Sequence, residues 1–362
     1  MLLKKLSLIN FKNLAQETLT FDAGINCFVG DNGTCKTNII DAIYYLSMCK
    51  SALPMSDGQC VRHGEQFFVI DGEYLNSRNR RELVSCSFTR GASKVMKRNG
   101  KAYERLSDHI GLIPVVIVSP ADTTLICDAA EERRRYLNGF ISQLDREYLA
   151  TMIRYNGALA ERNKLLKISA DEQMLQIYDA QLVASGEKIY AKRREIAEAL
   201  HPVVAEFYAM LSGDKEQVEL VYKSELETMP FADLLLSARE RDRVNGFTTA
   251  GIHRDDLAFR IGGLPLRKYG SQGQQKSFII ALKLAQYRII AERFGEAPIL
   301  LLDDVFDKLD EGRVAELLKI VASDSFGQIF ITDCNHERMT RLLDASGCRH
   351  KIFDVTYGKV LQ

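Results

Sequence analysis

The apolar run at residues 299–302, followed at once by two aspartates, restricts the fold of this chain more than any other feature. The run lacks polar alternation, which is typical of a strand covered on both faces of a parallel sheet. Asp303 and Asp304 come next, and open α/β sheets bind their ligands at the carboxyl ends of strands. Adjacent carboxylates there can hold a metal ion and polarise a water molecule. A core strand that runs into an aspartate-rich turn is the alternative.

A second segment, near the start of the chain, has the order strand, glycine turn, helix. An apolar run at 25–29 and a helical pattern at 38–47 flank eight residues. A phosphate-binding loop needs glycines that let backbone N–H groups curl around phosphate oxygens, a lysine that reaches the phosphates, and a hydroxyl for Mg²⁺. The eight residues are Gly30, Asp31, Asn32, Gly33, Thr34, Cys35, Lys36 and Thr37. They predict a nucleotide-phosphate site, and an ordinary Gly-Asn turn that caps a helix is the alternative.

This loop departs from the strict pattern G-x-x-x-x-G-K-[ST] at Cys35, where the pattern has glycine. A side chain just before the lysine is expected to crowd the phosphates, or to strain a backbone angle that glycine tolerates. The departure therefore bears directly on nucleotide affinity.

The third segment is Tyr-Gly-Ser-Gln-Gly-Gln-Gln-Lys at 269–276, followed by an apolar-periodic stretch at 277–294. Ser271 is placed to cap the predicted helix. Together with Gly273 and Gln274, it can form an anion site from a hydroxyl, free N–H groups and the helix dipole. A plain helix cap with polar first-turn residues is the alternative.

In the order phosphate loop, serine–glycine motif, acidic strand, the three segments resemble the ATP-binding cassette superfamily, in which the serine motif of one subunit closes over nucleotide held by the other. Further segments are similar to the RecF family: Ser-Pro-Ala-Asp at 119–122, Glu-Arg-Arg-Arg-Tyr-Leu at 132–137, and Thr-Ala-Gly-Ile-His-Arg-Asp-Asp-Leu at 249–257. The chain thus resembles RecF proteins over nearly its whole length. Besides the loop cysteine, it departs from them at Ile252, where proline is usual, and at Leu53, where arginine is common.

The resemblance implies an α/β fold: an ABC-type P-loop ATPase head, with a mixed sheet flanked by helices, and a helical second lobe. It implies ATP and Mg²⁺ as ligands. Lys36 would hold phosphates, and Thr37 and Asp303 would position Mg²⁺. Asp304 would orient or polarise the attacking water, and its reach, shorter than that of the glutamate common in transporter ATPases, is consistent with slow hydrolysis.

The family also implies assembly and partners. Ser271, Gly273 and Gln274 would complete the site of a second copy in an ATP-dependent homodimer, and Asp310 resembles the loop that crosses the dimer interface. The expected activity is that of a weak DNA-dependent ATPase. It would bind single-stranded and double-stranded DNA at gaps or junctions and help RecO-like and RecR-like proteins to load RecA.

Two other classes of function stay open. A DNA-binding scaffold that dimerises without ATP turnover is favoured by Cys35. A transporter-type ATPase subunit is disfavoured by the long helical insertion and by the Ser-Gln-Gly-Gln-Gln run.

The charges place a limit on any nucleic-acid surface. Lys plus Arg equals Asp plus Glu, at 48 each, so a DNA-binding surface must be local. Three basic clusters are candidates, although solvated surfaces often carry such clusters: Lys94, Lys97, Arg98 and Lys101; Arg133, Arg134 and Arg135; and Lys192, Arg193 and Arg194. The first is preferred, because 84–88 and 94–97 are predicted to form a hairpin that presents cations to a phosphate backbone.

Cysteine usage and the amino terminus indicate a cytoplasmic protein. Eight cysteines occur without C-x-x-C or His-Cys clusters, so neither a zinc site nor a disulfide framework is expected. The first residues lack an apolar signal region and a cleavage site, and no membrane contact or span is expected. Residues 2–10 are predicted to form a strand, and Phe11-Lys12-Asn13 resembles a family segment near the bound nucleotide.

The predicted organisation has two lobes. Residues 1–118 and 247–362 form a discontinuous ATPase lobe, and 119–246 form the helical lobe. Apolar residues at three- and four-residue intervals predict helices at 131–144, 148–166 and 174–208. Pro202 is expected to kink or break the last of these.

Overall fold

The computed structural model describes residues 1–168, 171–306, 311–323, 325–357 and 359–361. The strands are β1 Leu2–Phe11, β2 Leu14–Thr20, β3 Ile25–Val29, β4 Phe67–Leu75, β5 Arg81–Thr89, β6 Val95–Arg98, β7 Lys101–Ala102, β8 Val115–Val118, β9 Val218–Lys223, β10 Asp256–Ile261, β11 Leu264–Pro265, β12 Ile299–Leu302, β13 Ile329–Asp333, β14 His350–Thr356 and β15 Lys359–Leu361. The helices are α1 Lys36–Met48, α2 Thr124–Cys127, α3 Ala130–Leu144, α4 Arg146–Lys167, α5 Glu172–Ser212, α6 Phe231–Asn245, α7 Leu266–Tyr269, α8 Gln272–Phe294, α9 Glu311–Val321 and α10 His336–Ser346.

The chain packs into two compact units. Unit 1 comprises Met1–Asp122, Met210–Asp214 and Ile279–Gln362, and unit 2 comprises Thr123–Ala209 and Lys215–Phe278. The lobe limits predicted at 118 and 247 differ from these unit limits, and the division into lobes stays a prediction.

The central sheet of unit 1 has the strand order β15-β14-β3-β13-β12-β8. Its neighbours pair in parallel, except for the antiparallel β14–β15 hairpin. Strands β3, β12 and β13 are buried at every position, which explains their mainly apolar sequences. Because β3, β13 and β12 are parallel neighbours, their carboxyl ends, and the polar residues that follow, lie at one edge of the sheet.

The second sheet of unit 1 is antiparallel, with the order β2-β1-β4-β5-β6-β7. The predicted opening strand and the predicted hairpin are both confirmed, as β1 and as the β5–β6 pair. Helix α1 contacts β1 and β4 of this sheet as well as β13 and β8 of the central sheet. The helix that follows the glycine loop is therefore fixed by the core on two sides.

Unit 2 is mainly helical, and the three predicted helices are confirmed as α3, α4 and α5. Pro202 lies inside α5, which continues to Ser212, so the helix does not break at this proline, and the alternative prediction of a kink stays a prediction. One strand, β9, lies within the stretch 119–246 that is predicted to form the helical lobe. That strand pairs along its whole length with β10, which joins residues 256–261 to the helical unit.

Among the described residues, no helix combines the length and the apolar character needed to cross a bilayer.

Candidate functional site

The glycine loop between β3 and α1 curls around its own lysine. Gly30 and Gly33 have φ values of +155° and +84°, which favour glycine. A Cβ on Gly30 would lie 2.1 Å from the carbonyl oxygen of Val355, so no larger residue fits there.

The Lys36 ammonium donates to the carbonyl oxygens of Gly30 at 2.7 Å and Asp31 at 2.8 Å. Thr34 Oγ1 donates to the same Asp31 oxygen at 2.7 Å, which closes the turn, and Asn32 is exposed at its tip.

Cys35 adopts the conformation that the glycine pattern demands. Its φ of +85° and ψ of +10° are left-handed, and it forms the N-cap of α1. The sequence prediction that a strained backbone angle falls at this position is confirmed. A left-handed residue other than glycine costs roughly 1 kcal/mol or more, so this loop holds its shape against a local preference of the chain.

Cys35→Gly is expected to tighten ATP binding by on the order of 1 kcal/mol, about fivefold in Kd. Glycine removes a side chain beside Lys36 and adopts the left-handed loop conformation without strain. The measurement is an ATP titration of both proteins at the same Mg²⁺ and salt concentrations. Cys35→Ala is the control: it is smaller than cysteine but keeps the strain, so a gain with alanine would point to crowding alone. Unchanged or weaker binding with glycine would contradict both explanations.

A hydrogen bond between two distant segments joins Thr37 and Asp303. Thr37 Oγ1 donates to Asp303 Oδ1 at 3.0 Å across 266 positions of sequence. The Asp303 backbone N–H donates to the carbonyl oxygen of Val118 at 2.8 Å, which ties the carboxylate to the neighbouring strand β8. Burial raises the pKa of the Asp303 carboxyl, as does the nearby charge of Asp304, whereas hydrogen bonds from Thr332 and Thr37 oppose that rise.

Asp304 follows in the left-handed region, with a φ of +45°, and is half-buried. This backbone conformation turns the chain sharply after β12. Its N–H donates to the hydroxyl of Thr332, at the end of β13, at 2.9 Å. Sequence reasoning missed Thr332; the available signal was a hydroxyl residue that ends the apolar part of a buried strand. The predicted dimer-interface residue Asp310 lies outside the described residues.

The Phe11-Lys12-Asn13 segment contacts the first turns of α1. The Lys12 ammonium lies 2.7 Å from Asp41, and both side chains are buried. Asn38 Nδ2 donates to Asn13 Oδ1 at 2.6 Å. Lys12, Asn13 and Asn38 border a cleft of about 990 Å³, which is also lined by His63. The cleft therefore opens beside the helix that carries the phosphate loop.

The serine motif lies in unit 2 and forms a reciprocal cap on α8. The N–H of Gln274 donates to Ser271 Oγ at 3.3 Å, and the N–H of Ser271 donates to Gln274 Oε1 at 2.6 Å. The predicted cap is confirmed. Gln274 Nε2 also donates to Glu216 at 2.6 Å, and Gly273 is half-buried in the first turn. Ser271 itself is exposed.

Comparisons with known proteins agree with this arrangement. The family model for the RecF/RecN/SMC N terminal domain matches residues 2–352. A DNA replication and repair protein RecF from Bacteroides thetaiotaomicron is 45% identical, with 99% of this chain and 98% of that protein covered. The corresponding protein from Flavobacterium johnsoniae is 47% identical, with 98% and 99% covered.

The chain belongs to the RecF family. Its fold agrees. The solved structure of the recombination mediator protein RecF-ATP in the RecFOR pathway matches with a TM-score of 0.89 at 29% identity, covering 99% of this chain and 97% of that chain. An Smc head domain from Pyrococcus furiosus matches with a TM-score of 0.60 at 18% identity, covering 99% and 96%. The predicted ABC-type α/β ATPase head is thereby confirmed.

Two of the RecF-like segments, 132–137 and 249–257, contact each other inside unit 2. Arg133 Nε donates to Asp256 Oδ1 at 2.7 Å, and Arg134 donates to the carbonyl oxygen of Asp255 at 2.6 Å. His253 accepts from Tyr155 at Nδ1, at 2.8 Å, and burial lowers its pKa to about 4. In this RecF-family chain these residues hold the helical unit together.

The predicted DNA-binding clusters are largely engaged in ion pairs. The Lys94 ammonium lies 2.9 Å from Asp57 Oδ2 and donates to the carbonyl oxygen of Cys49 at 2.6 Å. Arg98 pairs with Glu82 at 2.9 Å. Acidic side chains of the fold thus bind both of these cations, and the assignment of the hairpin to DNA stays a prediction. Among the other clusters, the cations in ion pairs are Arg133, Arg135, Lys192, Arg193 and Arg194.

Proposed function

We propose that this chain is a DNA replication and repair ATPase that binds ATP with Mg²⁺ and dimerises around it. One contact carries the proposal: Thr37 Oγ1 donates to Asp303 Oδ1 at 3.0 Å across 266 residues. The hydroxyl after the loop lysine and the first carboxylate after the buried strand thus meet at one edge of the sheet. The names of the relatives support the proposal, since they are DNA replication and repair proteins and include a RecF-ATP structure.

Phosphate binding is assigned to the loop and to the amino terminus of α1. Backbone N–H groups at a helix start and the helix dipole favour anions. Lys36 adds a positive charge within the loop, bound now to two loop carbonyl oxygens. The cleft of about 990 Å³ beside Asn38 and Lys12 is the space we assign to the nucleoside.

The residues present fit Mg²⁺. A threonine hydroxyl and a carboxylate are hard oxygen donors, and Mg²⁺ commonly takes one or two protein oxygens together with substrate phosphates. Among the described residues, no group of three His, Cys, Asp or Glu side chains could hold a metal alone, so a site shared with nucleotide is the better fit. Thr37 and Asp303 would hold the ion, which neutralises phosphate charge when bound.

Hydrolysis is assigned to Asp304. Its carboxylate would orient the attacking water and accept its proton, while Lys36 stabilises charge on the phosphates. The buried Asp303 remains with the metal, so the two carboxylates have separate tasks.

Dimerisation is assigned to Ser271, Gly273 and Gln274, which would contact the γ-phosphate held by a second copy. We also propose binding to single-stranded and double-stranded DNA at gaps, cooperation with RecO-like and RecR-like proteins, and a cytoplasmic location. The scaffold without turnover stays as the second candidate, because Cys35 has a strained φ of +85° in the loop.

Sedimentation tests the proposal. ATP, and not ADP, should convert the wild-type monomer to a dimer, and gapped duplex DNA should cosediment with it. Ser271→Arg should abolish the dimer, because a bulky cation replaces the hydroxyl that meets the γ-phosphate. An ATP titration is the control and should give the wild-type Kd. A Ser271→Arg protein that still dimerises with ATP would refute the assigned interface, and wild type that neither binds ATP nor dimerises would refute the function.

A further inference from the structure

Thr332 is completely buried, and its hydroxyl contacts the carboxylate of Asp303 and the backbone of Asp304. Thr332 lies near the end of β13, the strand next to β12, and its Oγ1 is 2.8 Å from Asp303 Oδ1 and 2.9 Å from the backbone nitrogen of Asp304. One oxygen atom therefore touches both residues that follow the buried strand.

The chemistry of the neighbours fixes the direction of both hydrogen bonds. The Asp304 N–H can only donate, so Thr332 Oγ1 accepts there. The Asp303 carboxylate accepts, so the single hydroxyl proton of Thr332 is directed to Oδ1. Both bonds depend on a side chain that has a donor and an acceptor on the same atom.

Each bond restrains a different degree of freedom. The hydrogen bond from Thr332 to Oδ1 fixes the rotation of the Asp303 carboxylate. Thr37 also donates to Oδ1, and the hydroxyl oxygen of Thr37 can still turn toward a metal. The bond from the Asp304 N–H holds that residue at a φ of +45°, a conformation that residues other than glycine seldom adopt.

We propose that Thr332 is a positioning residue that orients Asp303 for Mg²⁺ and Asp304 for the attacking water. The proposal rests on the ATPase function proposed above. Thr332 acts through the two aspartates and has no direct contact with nucleotide in this assignment. Side chains that orient metal ligands typically change metal affinity or activity by about 10- to 100-fold when removed.

The test compares Thr332→Val, which keeps the shape and deletes the hydroxyl, with Thr332→Ser, which keeps the hydroxyl. Two quantities are measured: the Mg²⁺ concentration that gives half-maximal binding of a non-hydrolysable ATP analogue, and kcat and KM for ATP. With valine, the Mg²⁺ requirement should rise and kcat should fall, each by about 10- to 100-fold, with little change in nucleotide binding without Mg²⁺. Serine should restore both quantities. Thr151→Val, at a buried threonine in unit 2, is the control and should leave both unchanged.

Wild-type values for Thr332→Val, or a serine variant as impaired as valine, would overturn the positioning role. If the valine protein does not fold, the pair Thr332→Ala and Thr332→Ser replaces it, since these differ only in the hydroxyl. Equal Mg²⁺ requirements in that pair would also overturn the role. A wild-type protein that neither binds nor hydrolyses ATP would instead refute the proposed function, so the two failures are distinct.

Discussion

Asp304→Asn is expected to bind ATP and Mg²⁺ and to accumulate as an ATP-bound dimer, with hydrolysis slowed about 100-fold or more. Asparagine has nearly the same size and tolerates the left-handed backbone at this position, so the turn after β12 should persist. It cannot accept a proton from water. The measurement is single-turnover hydrolysis together with the lifetime of the dimer after dilution.

Asp303→Asn is the matched comparison, because it removes the charge of the neighbouring carboxylate and keeps its size. It is expected to raise the Mg²⁺ concentration required for ATP binding at least about tenfold. Removal of a side chain that orients a metal ligand already has an effect of about this size, and loss of the ligand itself should have at least the same effect. The two losses then appear at different steps. If both variants lose ATP binding equally, the division of tasks between the two carboxylates is wrong.

Arg193→Met is expected to destabilise the protein by about 3–5 kcal/mol, because it leaves a buried charge without its partner. The Arg193 guanidinium is 1% exposed and donates to Asp255 Oδ2 at 3.0 Å and to the carbonyl oxygen of Ile252 at 2.7 Å. Burial raises the pKa of the Asp255 carboxyl, and the charge of Arg193 opposes this rise. Urea unfolding gives the free energy of unfolding.

Arg194→Met supplies the control one residue away. The Arg194 side chain is 54% exposed and its Nε lies 3.7 Å from Glu198, a surface pair worth less than about 1 kcal/mol. A large difference in the free energy of unfolding between the Arg193→Met and Arg194→Met proteins would show that the stability comes from the buried ion pair. Equal unfolding midpoints would show that the Arg193 network adds little to the stability of unit 2.

The sequence predicted the parts of the site that depend on local chemistry. A glycine loop, a lysine and a hydroxyl within eight residues can be recognised without tertiary structure, and so can an apolar strand that ends in carboxylates. The backbone strain at Cys35 also followed from the loop pattern, which has glycine at this position, because glycine adopts a φ of +85° without strain.

What the sequence did not predict depends on partners far along the chain. Strand β9 forms because β10 supplies its hydrogen bonds, although the surrounding residues are helical. Lys94 was assigned to DNA because basic residues cluster around it, but Asp57 binds its ammonium at 2.9 Å. Thr332 gave no recognisable motif, because its role depends on the pairing of β13 with β12.

The cap on α8 has a consequence for assembly. A serine hydroxyl has two lone pairs and one proton, and the N–H of Gln274 uses a lone pair of Ser271. The proton stays available to a phosphate oxygen, so α8 need not unwind to meet a second copy. The cap of α8 and the contact with a second copy would then both depend on the Ser271 oxygen. A substitution that removes this oxygen would weaken the helix cap in the monomer and the contact in the dimer together.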